Sequence, residues 1–123
     1  MRSGVGILVT NNPLVTDRHG DKYNVVFLDT DIPGVLTHVR DLVHKGHRMM
    51  THPLSGSVKP NETVYKTVLL SAVANKTDTQ SVIIIEDCIM TVKKFTPRQI
   101  PEQYIYDMQV IDLSLIESAL EYN

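Results

Sequence analysis

Residues 25–46 read Val25-Val26-Phe27-Leu28-Asp29-Thr30-Asp31-Ile32-Pro33-Gly34-Val35-Leu36-Thr37-His38-Val39-Arg40-Asp41-Leu42-Val43-His44-Lys45-Gly46. The stretch begins with a short apolar run that is typical of a buried strand. After Asp31, which can cap a helix, apolar residues recur at the helical spacing i, i+1, i+4, i+7 and i+8. Gly46 then predicts the end of the helix. A strand followed by an amphipathic helix is the repeating unit of an α/β fold.

One further strand is predicted before this unit and one after it. Before it, Ile7-Leu8-Val9 is a continuous apolar run, and Thr10-Asn11-Asn12-Pro13 follows as a turn signal. The polar residues from Asp17 to Tyr23 then separate this first strand from the second. After it, a short strand from Arg48 to Thr51 is expected, and Pro53 closes that strand because proline cannot donate to a ladder.

The second half of the chain predicts one strand and three helices. Val64 to Val73 is typical of a buried strand, with a helix as the competing interpretation. Ser81 to Phe95 has helical periodicity, acids early and bases late, so we expect a helix there. Gln103 to Met108 and Leu113 to Leu120 are predicted as two more helices, the second capped by Asp112.

The order of elements predicts a single α/β domain over residues 1–123, with a mostly parallel sheet of about four strands flanked by helices. In such a fold the loops after the strands share one edge of the sheet. We therefore expect Thr10 to Asn12, Asp29 and the segment from His52 to Lys66 to lie near one another.

Composition limits the classes of partner. The chain has 123 residues, 42% of them hydrophobic, and a formal net charge of −2 with scattered basic residues, so a nucleic-acid partner is not expected. The N-terminal apolar run is too short to span a membrane, and we expect neither export nor membrane insertion. A single cysteine, Cys88, is consistent with a reducing compartment, and the expected location is the cytoplasm.

The segment from Thr51 to Lys66 is the predicted functional region, because it combines hydroxyls, two lysines, a histidine and an asparagine with turn chemistry. Its Ser55-Gly56-Ser57 turn can offer N–H groups and hydroxyls to a carboxylate or phosphate, with a lysine nearby to neutralise the charge. A merely structural turn is the alternative, since no phosphate-loop motif is present. The candidate ligand-binding residues are Thr10, Asn11, Asn12, Thr51, His52, Ser55, Gly56, Ser57, Lys59, Asn61 and Lys66.

Other chemistries find weaker support in the sequence. The five histidines lack a His-Glu-x-x-His spacing, and solvated side chains are expected for His19, His38 and His44, so no metal site is predicted. No Gly-x-Ser-x-Gly nucleophile motif or Gly-x-Gly-x-x-Gly dinucleotide motif occurs, and Cys88 lies among apolar residues of a predicted helix. We predict no cofactor, and the sequence contains no recognisable catalytic constellation.

Four segments together resemble the GrdX family over nearly the full chain: Thr10–Pro13, His44–His47, Thr51–Thr63 and Ile111–Leu120. The resemblance implies a small protein encoded beside the glycine, sarcosine and betaine reductase systems of amino-acid-fermenting anaerobic bacteria. Those reductases use selenocysteine and thioredoxin chemistry to make acetyl phosphate. The family supplies no catalytic residues that can be transferred to this chain.

Three functions follow as hypotheses. The first is an accessory protein of the reductase system that binds or assembles its components. The alternative is an enzyme or sensor that binds a small carboxylate or acyl phosphate through the 51–66 loop. The third is self-association through the apolar helix Leu113 to Leu120, a surface that the sequence does not distinguish from part of the core.

Overall fold

The computed structural model of the protein describes residues 5–54, 63–96 and 99–121. Strands and helices alternate in its first half, and helices dominate the second. In chain order the elements are β1 (Ile7–Thr10), α1 (Pro13–His19), β2 (Asn24–Phe27), α2 (Ile32–His44), β3 (Thr67–Leu70), α3 (Thr79–Lys93), a 3-10 turn (Glu102–Tyr104) and α4 (Ile105–Leu120).

The described strands form one mixed sheet in the order β2-β1-β3. β1 runs parallel to β2 and antiparallel to β3. The predicted α/β class is confirmed, but the expected sheet of about four mostly parallel strands is not. The predicted strand from Arg48 to Thr51 is reduced to a single antiparallel bridge between Met49 and Leu70.

The short segment around Met49 nevertheless extends the sheet beyond β3. The Met50 N–H donates to the Leu69 carbonyl at 2.8 Å, and the Ser71 N–H donates to the Arg48 carbonyl at 2.8 Å. Side chains complete this contact, because Thr51 Oγ1 accepts from the Leu69 N–H at 3.0 Å. An antiparallel neighbour does not require the helical crossover that a parallel one needs, and strand direction is not encoded in a strand's own apolar pattern.

Two predicted helices form, within a few residues of the predicted bounds. α2 is capped by Asp31, whose carboxylate accepts from the Gly34 N–H at 2.9 Å. α3 is capped in the same way by Asp78, which accepts from the N–H of Ser81 at 3.1 Å. In both cases the cap and the apolar periodicity specify the same helix, which explains why these predictions are confirmed.

α1 was not expected, because its first residues were interpreted as a turn. Asn12 is the N-cap, accepting the Leu14 N–H at 3.1 Å, and Pro13 occupies the first helical turn. Asparagine followed by proline is equally a turn signal and a helix start. Of the seven residues of α1 only Val15 is buried, so apolar periodicity gave no help.

The prediction of two separate C-terminal helices with Asp112 as a cap is wrong. One helix, α4, runs from Ile105 to Leu120, and Asp112 lies in its middle with only 5% of its surface exposed. An aspartate within an apolar sequence is usually a helix cap, and here tertiary hydrogen bonds override that preference.

The sheet lies between two helical layers. Ile7 and Val9 of β1 pack toward α2 and α3, whereas Leu8 packs toward α1 and α4, as the alternation of side chains along a strand requires. Leu113 and Ile116 of α4 are buried in this second cluster, so the C-terminal helix contributes to the core. Within the three described ranges, no helix has the length and apolar character needed to cross a membrane.

Gly46 ends α2 in a conformation that other residues rarely adopt. Its φ is +109°, and a Cβ at this position would collide with the backbone carbonyl oxygen of Asn75. The two residues are also bonded directly, since the Asn75 N–H donates to the Gly46 carbonyl at 3.0 Å. Gly46 therefore fixes the approach of the segment after β3 to the end of α2.

We expect Gly46→Ala to lower the free energy of unfolding by more than about 1 kcal/mol, because the new methyl group meets both backbone strain and a steric clash. Urea denaturation measures the change. Lys45→Ala is the matched control at an exposed neighbouring position with ordinary helical geometry, and it should shift stability by less than about 0.5 kcal/mol. Equal stabilities for the two variants would contradict this role of Gly46.

Candidate functional site

One edge of the sheet collects the residues that the sequence singled out. Thr10, the last residue of β1, pairs with the last residue of β2 on one side and with Thr67, the first residue of β3, on the other. The loop residues after β1, the residues before β3 and the Thr51–His52 segment therefore meet at this edge. Asp29 is exposed and lines a separate shallow groove with Phe27.

Part of the predicted ligand loop is outside this description. Ser55, Gly56, Ser57, Lys59 and Asn61 lie outside the described residues. Their assignment as anion-binding residues stays a prediction.

Asn11 holds three chain segments together. Its Nδ2 donates to the carbonyl of Thr30 at 2.8 Å and to that of Val64 at 2.7 Å. Its Oδ1 accepts from the N–H of Lys66 at 2.9 Å. Both amide protons are thus used within the protein, and Asn11 fixes the backbone that leads into β3.

Asn12 joins α1 to α4. Besides capping α1 with its oxygen, its Nδ2 donates to the Gln109 carbonyl at 2.8 Å and to Asp112 Oδ2 at 3.0 Å. The side chain is fully buried and its bonds are all internal. These hydrogen bonds give both asparagines a structural role that the sequence did not reveal, and their contact with a ligand stays a prediction.

A directed chain of hydrogen bonds ends on Asp112. The Asn12 N–H donates to Thr10 Oγ1 at 3.0 Å, the two threonine hydroxyls Thr10 and Thr67 lie 2.7 Å apart, and Thr67 Oγ1 donates to Asp112 Oδ2 at 2.7 Å. Because Thr67 uses its proton on Asp112, Thr10 must donate to Thr67. Each bond polarises the next in the same direction, toward the carboxylate.

Asp112 is the acidic centre of this edge. Burial raises the pKa of its carboxyl above the ordinary value, while hydrogen bonds from Asn12 and Thr67 and the charge of Lys66 act in the opposite direction. Sequence reasoning missed this residue as part of the site. A signal was present, since an acid sits between Ile111 and Leu113 on an apolar helix, but only a tertiary partner distinguishes a buried acid from a cap.

Lys66 is the basic counterpart, and it was among the predicted ligand residues. Only 6% of its surface is exposed. Burial lowers the pKa of its ammonium group, and the negative charge of Asp112 partly opposes this. Among residues 5–54, 63–96 and 99–121, no side chain or carbonyl forms a hydrogen bond or ion pair with that ammonium group; only the backbone N–H of Lys66 is engaged.

Lys66 and Asp112 line the same small cavity, which has a volume of about 30 Å³. Such a volume holds roughly two water molecules or a ligand group of a few atoms. The remaining lining comes from three parts of the chain: Thr51, His52 and Pro53 before the ligand loop, Thr67 of β3, and Leu115, Ile116 and Ala119 of α4.

His52 stands at the exposed side of this cavity. Its Nδ1 accepts from the Leu54 N–H at 3.1 Å, so in the neutral imidazole the proton is on Nε2. The bond makes a compact turn of the kind expected for Thr51-His52-Pro53. The same turn places the ring among the cavity-lining residues, so the structural and functional interpretations of His52 are compatible.

Cys88, in α3, is close enough to Lys66 for the two groups to interact electrostatically. It is 1% exposed, and burial raises the pKa of its thiol to about 11, with Asp87 acting in the same direction. The group is therefore a neutral thiol near pH 7, which agrees with its interpretation as a small buried hydrophobic residue. Within the described part of the chain, no cluster of three or more His, Cys, Asp or Glu side chains could hold a metal ion.

The histidines outside the cavity differ from one another. His44 is exposed, as expected, whereas His38 is partly buried. The prediction of a solvated His19 is wrong, because its Nε2 lies 2.8 Å from Glu117 Oε2 and its side chain is 16% exposed. This contact links the end of α1 to α4, and no local pattern connects two residues so distant in sequence.

One known protein family matches this chain. The model of the family described as GrdX-like protein matches residues 7–121. The chain belongs to this family. The match includes every helix and strand described above and leaves out only the ends of the chain. It agrees with the resemblance of the four sequence segments to the GrdX family. No curated protein and no solved structure matches the chain at a significant level.

We expect Asn12→Ala to lower the free energy of unfolding by about 2 to 4 kcal/mol, since it removes a helix cap and one hydrogen bond to a buried carboxyl. Chemical denaturation followed by circular dichroism measures the change. Asn24→Ala, at an exposed position at the start of β2, is the matched control and should have little effect. Similar losses in both variants would show that Asn12 does not anchor α4.

Proposed function

We propose that this protein is an accessory factor of the glycine, sarcosine and betaine reductase system and acts there by binding a small carboxylate or acyl phosphate. The supporting observation is Lys66, a buried lysine that lines a cavity and whose ammonium group forms no hydrogen bond with any residue that the structure describes. A buried ammonium group without a partner is costly, and such groups are concentrated at functional sites. An anion in the cavity would supply the missing partner.

The surroundings of Lys66 favour a small ligand. The cavity accommodates only a few atoms, and its walls combine the hydroxyl of Thr51 with the apolar side chains of Leu115 and Ile116. A carboxylate or phosphoryl group can accept hydrogen bonds from hydroxyls and from an ammonium group at the same time. A large cofactor would need a wider site.

The link to the reductase system rests on the family. Members of the GrdX family are encoded beside these reductases, whose substrates carry carboxylates and whose product is an acyl phosphate. The ligand class suggested by Lys66 therefore coincides with the metabolites of that system. A cytoplasmic location follows for a factor that works with these reductases.

Ligand binding at Lys66 should be visible as stabilisation. At a concentration of 100 times its dissociation constant, a ligand adds about 2.7 kcal/mol to the free energy of unfolding. We expect at least one of acetyl phosphate, phosphate, acetate, glycine, sarcosine or betaine to raise the melting temperature by several degrees. Lys66→Met should abolish the shift, whereas Lys45→Met, which removes an exposed lysine, should preserve it.

The pH dependence gives the binding experiment a second readout. An anion stabilises the charged form of Lys66, so binding should weaken as the pH rises through the pKa of this residue, which burial holds below that of an exposed lysine. Titration calorimetry at several pH values measures this trend. Affinity that does not change with pH, or a melting shift that survives in Lys66→Met, would exclude Lys66 as the anion-binding group.

A physical association with the reductase should also be detectable. We expect the native protein to co-purify with at least one reductase component or its precursor from an extract of the producing cells. Quantitative mass spectrometry against an extract lacking the tagged protein provides the control. Recovery of reductase components at background level would remove the assembly role while leaving the binding of a soluble ligand intact.

A further inference from the structure

The ammonium group of Lys66 has a neighbourhood suited to covalent chemistry as well as to charge pairing. We propose that Lys66 Nζ adds to the carbonyl carbon of a small aldehyde or 2-oxo acid and holds it as an imine in the cavity shared with Asp112. This inference rests on the proposed function, because the carbonyl compound is a member of the same class of small carboxylates. It adds a bond type and a nucleophile that ligand binding alone does not require.

The Lys66 amine must be neutral to react. Only a neutral amine is a nucleophile, and burial shifts the Lys66 equilibrium toward that form. With 6% of the residue exposed and no internal acceptor for its protons among the described residues, neither water nor protein holds the ammonium form as firmly as at the surface. Lys66 therefore has a larger neutral fraction near neutral pH than the exposed lysines.

Asp112 can carry a proton to and from Lys66 at the same cavity. Asp112 lines it together with Lys66, and the two groups interact through their charges, although they form no direct ion pair within 4.0 Å. Burial raises the pKa of Asp112 while it lowers that of Lys66, so the two values move toward each other. A water molecule between them could then carry the lysine proton to the carboxylate at modest cost.

The reaction follows from these two groups. The lone pair of Nζ forms the C–N bond while the carbonyl π electrons move to oxygen, and proton transfer from nitrogen to oxygen gives a carbinolamine. Asp112 then donates a proton to the hydroxyl, which leaves as water as the nitrogen lone pair forms the C=N bond of an iminium ion. The iminium N–H proton returns to the Asp112 carboxylate, which leaves the neutral imine. The sum is amine plus carbonyl giving imine plus water, with no oxidant or reductant consumed.

The size of the cavity selects the substrate class. Its volume of about 30 Å³ restricts the carbonyl compound to a few heavy atoms. Thr51 provides a hydroxyl group for a carboxylate, and the side chains of Leu115 and Ile116 form an apolar wall of the cavity. Glyoxylate, which carries an aldehyde beside a carboxylate, is the smallest probe with both groups.

Reductive trapping tests the proposal. The wild-type protein is incubated with glyoxylate and cyanoborohydride, which converts an imine to a stable secondary amine, and peptide mass spectrometry locates the adduct. We expect Lys66 to be modified at least tenfold faster than Lys45 at pH 7. Acetate, which has no aldehyde or ketone carbonyl, should give no adduct and should slow the reaction at Lys66 by competition.

Two variants separate chemistry from folding. Asp112→Asn keeps an oxygen that can accept from Asn12 and Thr67, and it should lower the maximal trapping rate while shifting the pH midpoint of the Lys66 reaction downward. Lys66→Met should lose the fast adduct and keep the wild-type circular dichroism spectrum, since a linear apolar side chain replaces a buried one. If Lys66→Met does not fold, the competition by acetate and the pH profile of the wild-type protein still show whether Lys66 reacts inside the cavity.

The outcomes distinguish this inference from the proposed function. A melting shift with glyoxylate but no fast adduct at Lys66 would overturn the imine and leave anion binding in place. An adduct that forms at Lys66 no faster than at Lys45, or with the same pH midpoint, would also overturn it. A fast adduct that acetate suppresses would support both. The absence of both a melting shift and an adduct would count against both proposals.

Discussion

The buried carboxyl of Asp112 is the contact on which the rest of this structure depends. It lies in the middle of α4 and accepts hydrogen bonds from Asn12, before α1, and from Thr67, the first residue of β3. The helix is thereby attached both to the segment that follows β1 and to the start of β3, at one edge of the sheet. Removing an aspartate from water is unfavourable, so its hydrogen bonds must be nearly complete for the fold to tolerate it. That requirement specifies the position of α4 more narrowly than apolar packing alone.

The same requirement places the candidate site. Because Asp112 is held against the amino end of β3, the residue just before that strand, Lys66, is enclosed by α4 rather than exposed to solvent. Side chains that hold the backbone in place and side chains of the candidate site are therefore neighbours at this edge. Asn11 and Asn12 use their amides to position the backbone, while Lys66 keeps an ammonium group that the described parts of the chain leave without a hydrogen bond.

The elements that could be predicted were those whose signals are local. α2 and α3 have a capping aspartate and helical periodicity, and each strand has a compact apolar run. The direction of β3 was not predictable, since its Val-Leu-Leu core fits either orientation. For the site, the convergence of Thr10, Thr51 and Lys66 followed from strand ends, but the role of Asp112 depended on partners 45 and 100 residues away.

The distance of 100 residues between Asn12 and Asp112 bears on how the protein folds during synthesis. The α1 side of the sheet is covered only when α4 has emerged, since Leu113 and Ile116 complete that cluster with Leu8 and Val15. The nascent chain thus carries an apolar sheet face that stays partly in contact with water until α4 has been translated. Late closure of non-local contacts generally slows folding and leaves apolar surface open to aggregation in the incomplete chain.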